Sequence, residues 1–343
     1  MPRIAIIGLG LIGGSLGLAL KRAELEGLEI VGYDAERGVG GRARKLGAID
    51  QDARHPADAV KEAALVVIAT PILQVKKVLE EIAPALGEGA VVTDTASTKR
   101  EVMRWAEDLL PNGVSFVGGH PIAGKEQPGL DAADASLFQE RTWAVTPSVH
   151  ATDQAVKTVE NFITLVGARP IIVNAEEHDS YLAAVSHLPL LASIALFTLA
   201  SGSQAWPDLA ALSGPGFRDA TRLASSSPDL SHDITLTNRE NLLHWLDRYG
   251  EELQRFRDLI ADGEAEEELF KELAKAQAMR DAFLQAPPEH PSSKQDVESI
   301  NAGERMLAFM VGDYVIRRTK ELNEIMDRRA ENDEDLRRKP KGR

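Results

Sequence analysis

The 343-residue chain contains no cysteine. Disulfides, thiolate nucleophiles and cysteine–zinc sites are excluded, and the absence fits a reducing compartment. Basic residues are in deficit: 39 Lys and Arg stand against 53 Asp and Glu, a net charge of −14. That balance argues against a nucleic-acid partner, whose phosphates such a surface repels. It leaves room for a small anion in a local basic pocket. Long apolar runs are also missing. The longest, "LPLLASIALFTLA" at 188–200, is too short to span a bilayer comfortably. It reads as a buried helix, and no membrane partner is expected. The opening "MPRIAIIG" already reads as a strand, so no signal peptide is expected and the location reads as cytoplasmic. No internal repeat is evident. The length suggests two domains.

What is present begins with a dinucleotide pattern. Ile4 to Ile7 form a continuous apolar run, as a buried parallel strand does. Gly8, Gly10 and Gly13 complete G-x-G-x-x-G before "SLGLALKRA", which has helical character. Gly8 permits the tight turn, Gly10 admits a pyrophosphate, and Gly13 allows close helix–strand packing. Leu11 and Ile12 then open the helix whose N-terminus favours the phosphate charge. Asp34 ends the next strand, "EIVGYD", 21 residues after Gly13. There a carboxylate bonds ribose hydroxyls and repels a 2′-phosphate, so NAD is preferred over NADP. Arg37 stands against that preference, because a nearby arginine can sometimes hold that phosphate.

Strand–helix alternation continues through "AALVVIATPI" (63–72), "AVVTDTAS" (90–97), "VSFVGGHPIAG" (114–124), "TWAVTP" (142–147) and "RPIIVN" (169–174). The fold class is α/β, an N-terminal Rossmann-type doubly wound parallel sheet. Ligands of such sheets bind beyond the carboxyl ends of the strands. Thr70-Pro71, Ser97 and His120 each follow a strand, so they gather on one edge. His120 lies in "GGHPIAGKEQPG" (118–129), with no second histidine near it at metal-ligand spacing. No metal is expected.

After about residue 174 the strands stop. "EEHDSYLAAVSHLPLLASIALFTLAS" (176–201) and "TNRENLLHWLDRYGEELQRFRDLIADG" (237–263) read as helices. Asp219 and Arg222 are three apart and share a helix face. So apolar a helical layer is expected to pair with a second copy, as a homodimer. The expected divisions are 1–174 (dinucleotide-binding), 175–285 (all-α, substrate and dimerisation) and 286–343 (linker, one further helix and charged tail). No lysine lies between Lys157 and Lys271. That disfavours the β-hydroxyacid dehydrogenases, which draw an acid–base lysine from their helical part.

The set "GLGLIGGSL", "TDTASTK", "GGHPIAGKE", "AAVSHLP" and "GPGFRDATRLA" resembles the prephenate dehydrogenase family, which includes arogenate dehydrogenases. The resemblance covers roughly residues 3–280. It implies NAD-linked oxidative decarboxylation of prephenate to 4-hydroxyphenylpyruvate, in tyrosine biosynthesis. Carried onto this chain, the catalytic histidine falls on His120 and its partner serine on Ser97. A carboxylate-holding arginine falls on Arg222, with Asp219 beside it. An entrance glutamate falls on Glu126 and a helical-domain histidine on His187. Two positions depart from the pattern. Lys125 stands where relatives often carry a small hydroxyl residue, and Leu190 where they carry a second histidine. The chemistry asks for a buried arginine against a dianion and a neutral histidine that accepts the 4-hydroxyl proton. Ser97 is expected to fix the histidine tautomer, and Pro121 to stiffen the turn that aims it. Two alternatives stay open: arogenate as substrate, with Glu126 as the acid facing its ammonium, and a non-catalytic NAD-sensing protein.

Overall fold

The computed structural model describes residues 2–125 and 127–286. Eight strands form one sheet: β1 (Arg3–Ile7), β2 (Glu29–Tyr33), β3 (Gln51–Asp52), β4 (Leu65–Ile68), β5 (Val91–Asp94), β6 (Ser115–Pro121), β7 (Thr142–Pro147) and β8 (Arg169–Ile172). Their spatial order is β3-β2-β1-β4-β5-β6-β7-β8. Six helices accompany them: α1 (Leu11–Arg22), α2 (Val39–Leu46), α3 (Pro56–Val60), α4 (Ile72–Ile82), α5 (Arg100–Leu109) and α6 (Asp153–Leu165).

The sheet is not wholly parallel, as the alternation had implied. β6 and β7 run antiparallel, with His120 opposite Ala144. The cause is the connection. Among the described residues between them the one helical piece is a one-turn 3₁₀ segment, Leu130–Ala132, and a parallel link needs a longer crossover. Alternating side chains of the buried strands feed two core layers. Ile4 and Ile6 pack with Leu16, Trp143 and Phe162. Ala5 and Ile7 pack with Val66, Leu79 and Trp105 on the other face.

Beyond β8 every described element is helical: α7 (Ala175–Leu182), a π-helical turn at Ala183–His187, α8 (Leu188–Ser201), α9 (Trp206–Ala211), α10 (Pro215–Thr221), α11 (Pro228–Thr237), α12 (Arg239–Ala261) and α13 (Glu266–Gln285). Pro189 sits in the first turn of α8. A proline there has no N–H to give the preceding turn, and a π bulge is one way to absorb that loss. The bulge presents His187. Leu190 and Ile234 join the core layer built on Val75 and Val102, so the helices pack directly on the sheet domain.

The 188–200 stretch is not a buried helix within the single chain. Only Leu190 and Ser193 of α8 are buried, and Leu199 is 78% exposed. Leu243, Leu253 and Ile260 of α12 and Phe270 of α13 are exposed as well. The helices form a thin layer with two faces and only one sheet domain to cover them. From Ala175 to Ser201 the helical run is long and apolar enough, by length and composition, to cross a membrane. The expected linker, further helix and charged tail lie outside the described residues.

Candidate active site

A cleft of about 280 Å³ opens at the carboxyl ends of β1 and β2, lined by Gly8, Gly10, Tyr33, Asp34, Thr70 and Pro71 among others. Gly8 has φ +92°, and a Cβ there would lie 2.5 Å from the Ala69 carbonyl oxygen. At Gly13 a Cβ would lie 1.8 Å from the Gly8 oxygen, so α1 can approach β1 only without one. Around Gly10 there is open space. Leu11 and Ile12 begin α1 and pack partly on the core; what they offer a phosphate is backbone N–H at a helix start. Asp34 accepts hydrogen bonds from Leu9 N (2.7 Å) and Glu36 N (2.8 Å), which fix its carboxylate at the cleft. Thr70 Oγ1 is buried with no hydrogen-bond partner. A glycine cradle, an aimed carboxylate and an unsatisfied hydroxyl fit a dinucleotide.

His120 is held differently from the loop placement expected. It lies inside β6 and is 8% exposed. Pro121 is also in the ladder, opposite Trp143, so a strand and not a turn aims the imidazole. The glycines before it are explained by crowding from the protein itself. A Cβ on Gly119 would lie 2.6 Å from Asp94 O and 2.8 Å from Trp143 Nε1; one on Gly118 would lie 2.8 Å from Met103 Sδ.

The partner of His120 Nδ1 is His178 Nε2, at 2.9 Å, and not Ser97. Ser97 is half-buried on the loop after β5. His178 Nδ1 in turn meets Asp179 Oδ1 at 2.8 Å. The hydrogen-bond directions follow from the acceptor at the end of the chain. The carboxylate only accepts, so His178 donates from Nδ1 and accepts at Nε2. His120 therefore donates from Nδ1, and its Nε2 keeps a free lone pair. Asp179 is fixed by two further donors, Lys99 N (2.7 Å) and Arg100 N (2.9 Å), at the start of α5. Burial holds the His120 pKa well below the usual histidine value, with His178, Lys99 and His187 adding to the effect.

His187 is 1% exposed. Asn238 Nδ2 donates to both Asp179 O (2.7 Å) and His187 Nδ1 (3.0 Å). His187 then carries its proton on Nε2, which makes no hydrogen bond of normal geometry. Burial pushes its pKa down to about 4, against the opposing pull of the Asp179 carboxylate. Beneath these rings lies a wholly buried ion pair, Lys99 Nζ with Asp94 Oδ2. Burial lowers the Lys99 pKa, and Asp94 raises it. Asp94 also accepts Gly119 N at 3.1 Å, which ties the pair to the strand carrying His120.

Other expected residues lie on different elements. Arg222 opens the 3₁₀ turn after α10, and Asp219 lies in α10; both are exposed in the single chain, so the expected burial of the arginine is not seen. Lys125 is exposed, and its ammonium bonds Asp134 (2.9 Å) and Ala132 O (3.3 Å). Asp134 N donates to Ser15 Oγ in α1. Glu126 lies outside the described residues. Sequence reasoning missed His178, Asp179, Asp94 and Lys99. The available signals were "HD" in the first helix after the strands and the acid and lysine of "TDTASTK".

Residues 16–172 match the family model for the prephenate dehydrogenase nucleotide-binding domain, and residues 174–275 that for the prephenate dehydrogenase dimerization domain. The chain belongs to the prephenate dehydrogenase family. It is 34% identical to the prephenate dehydrogenase of Bacillus subtilis, across 98% of this chain and 94% of that protein. It is 39% identical to a cyclohexadienyl dehydrogenase of Zymomonas mobilis, across 80% and 94%. Among solved structures, Aquifex aeolicus prephenate dehydrogenase in complex with hydroxyphenyl propionate and NAD+ matches with a TM-score of 0.77 at 31% identity, covering 82% of this chain and 98% of that one. Synechocystis arogenate dehydrogenase matches with a TM-score of 0.71 at 28% identity, covering 82% and 99%.

Proposed function

We propose that the protein is an NAD-dependent dehydrogenase that converts prephenate to 4-hydroxyphenylpyruvate, the oxidative decarboxylation that serves tyrosine synthesis. The observation that carries the reading is the Asp179–His178–His120 chain, which leaves one buried, neutral imidazole nitrogen free to accept a proton. When bound, NAD supplies the hydride acceptor. Gly8, Gly10 and Gly13 admit its phosphates, Asp34 holds the ribose hydroxyls, and Thr70 and Pro71 close the nicotinamide end. His120 Nε2 takes the proton of the substrate 4-hydroxyl as that group becomes a carbonyl. Asp179, through His178, stabilises the charge that results. His187, enclosed beside the backbone of Ser97, helps to place that loop, and Ser97 lends its hydroxyl beside the reacting ring. Arg222, oriented by Asp219, pairs with a substrate carboxylate, and Lys125 borders the entrance.

The apolar face of α8, α12 and α13 is covered by a second copy, giving a homodimer. The deciding experiment follows NADH formation by the purified protein with prephenate or arogenate, each with NAD or NADP. Turnover of prephenate with NAD is expected. Turnover of arogenate alone would reassign the substrate, and NADH binding without turnover of either would make the protein a sensor.

A further inference from the structure

The helices that follow β4 and β5 share an omission. Neither α4 nor α5 has a side-chain cap from its own N-cap residue. At α4 the cap position is Pro71, and the first turn holds no acid. The first amides of a helix have no partner within it. For both helices the missing acceptor comes from the helical layer. Asp179 of α7 takes Lys99 N and Arg100 N of α5. Asp233 of α11, 6% exposed, takes Leu73 N of α4 at 3.1 Å.

Two further contacts make α11 a clasp. Ile234 is buried in the same core layer as Ile72 and Val75 of α4. One turn beyond Asp233, the Thr237 hydroxyl meets the Thr98 hydroxyl at 2.9 Å, next to Ser97. Asp233 and Thr237 are four apart, so they project from one face of α11. That face grips the start of α4 and the loop that carries Ser97. The grip matters because α4 is a wall of the dinucleotide cleft. Gln74, Lys77 and Val78 line it across from Gly8 and Asp34.

We infer that Asp233 is a positioning residue for the cofactor: it caps α4 from the helical layer, and so sets the affinity for NAD without touching it. The carboxylate also lies at the positive end of the α4 dipole, where negative charge is favoured. This inference rests on the NAD reading above.

The test is a calorimetric titration of NADH into the full-length protein, alongside steady-state kinetics. Asp233→Ala is expected to weaken NADH binding about three- to tenfold, the range that loss of a helix cap supports. Asparagine caps helices as well as aspartate, so Asp233→Asn is expected to stay within about twofold of wild type. With cofactor saturating, kcat and the KM for prephenate are expected to hold in both variants, since neither substitution reaches the reacting atoms. Equal NADH affinity in Asp233→Ala and wild type overturns the inference. So does a fall in kcat with NADH affinity unchanged. If the alanine variant does not fold, Asp233→Glu carries the same test by moving the carboxylate one methylene away. A wild-type protein that binds no NADH takes down the dinucleotide reading itself, and this inference with it.

Discussion

At the scale of single residues, the site is a set of groups kept in the right protonation state by where they sit. His120 and His187 are both buried, and both have pKa values below that of an unfolded chain. A lowered base titrates only in acid. The kcat of the enzyme is therefore expected to stay flat through the usual histidine range near 6.5 and to fall only well below it. A limb centred at or above 6.5 would contradict the burial argument. His120→Asn is expected to lower kcat by about 10²–10⁴-fold, as loss of a general base does. Stability carries the same signature. Between about 6.5 and the lower folded values, the unfolded chain binds more protons than the folded one, so stability falls as pH falls. For His187 that window ends at about 4. Thermal melts between pH 7 and 4 check this, and His187→Gln is expected to flatten the slope. The importance of His120 was legible from its motif. Its orientation was not, because Nδ1 is set by His178, 58 residues away, and nothing local in "GGHPIAG" points there.

At the scale of elements, the glycine fingerprint and Asp34 were readable because all their partners are close in sequence or in the same βαβ unit. Asp34→Ser is expected to narrow the NAD:NADP ratio of kcat/KM, measured with both cofactors. An unchanged ratio would shift the determinant to Arg37. The reversal between β6 and β7 was hidden, because an apolar strand reads alike in either direction and only the missing crossover helix betrays it. The strand itself is packed to its limit at Gly119. Gly119→Ala would drive a methyl group into Asp94 O and Trp143 Nε1. Overpacking of this kind costs about 1–3 kcal/mol, and here it would also displace His120. The expected result is a lower melting temperature together with a lower kcat; an alanine variant as active and as stable as wild type would refute the crowding. Lys99 and Asp94 escaped notice because a lysine in "TDTASTK" looks like an ordinary surface residue. Only the fold shows that both side chains are fully enclosed. Removing one partner of a buried pair typically costs about 3–5 kcal/mol.

At the scale of the whole molecule, hydropathy showed that the second half is helical and too apolar for one chain to cover, but not that the 188–200 helix itself would be the part left open. The homodimer is expected to give twice the 37.2 kDa chain mass by light scattering at micromolar concentration, and a monomeric mass would leave the exposed leucines of α8 and α12 unexplained. Mounting the catalytic ring on a strand also has a kinetic side. β6 lies between β5, which pairs with it at Ser115 and Phe116, and β7, which pairs with it from Val117 to Pro121, and the buried Asp94 carboxylate takes the Gly119 amide on the β5 side. Amides so placed open to solvent mainly when the whole domain opens, whereas loop amides open one by one. Deuterium uptake at Gly119 and His120 is therefore expected to track global unfolding, slowing and quickening with denaturant as the domain does. The enzyme would then lose its base and its fold in one event, with no partly loosened, inactive state in between.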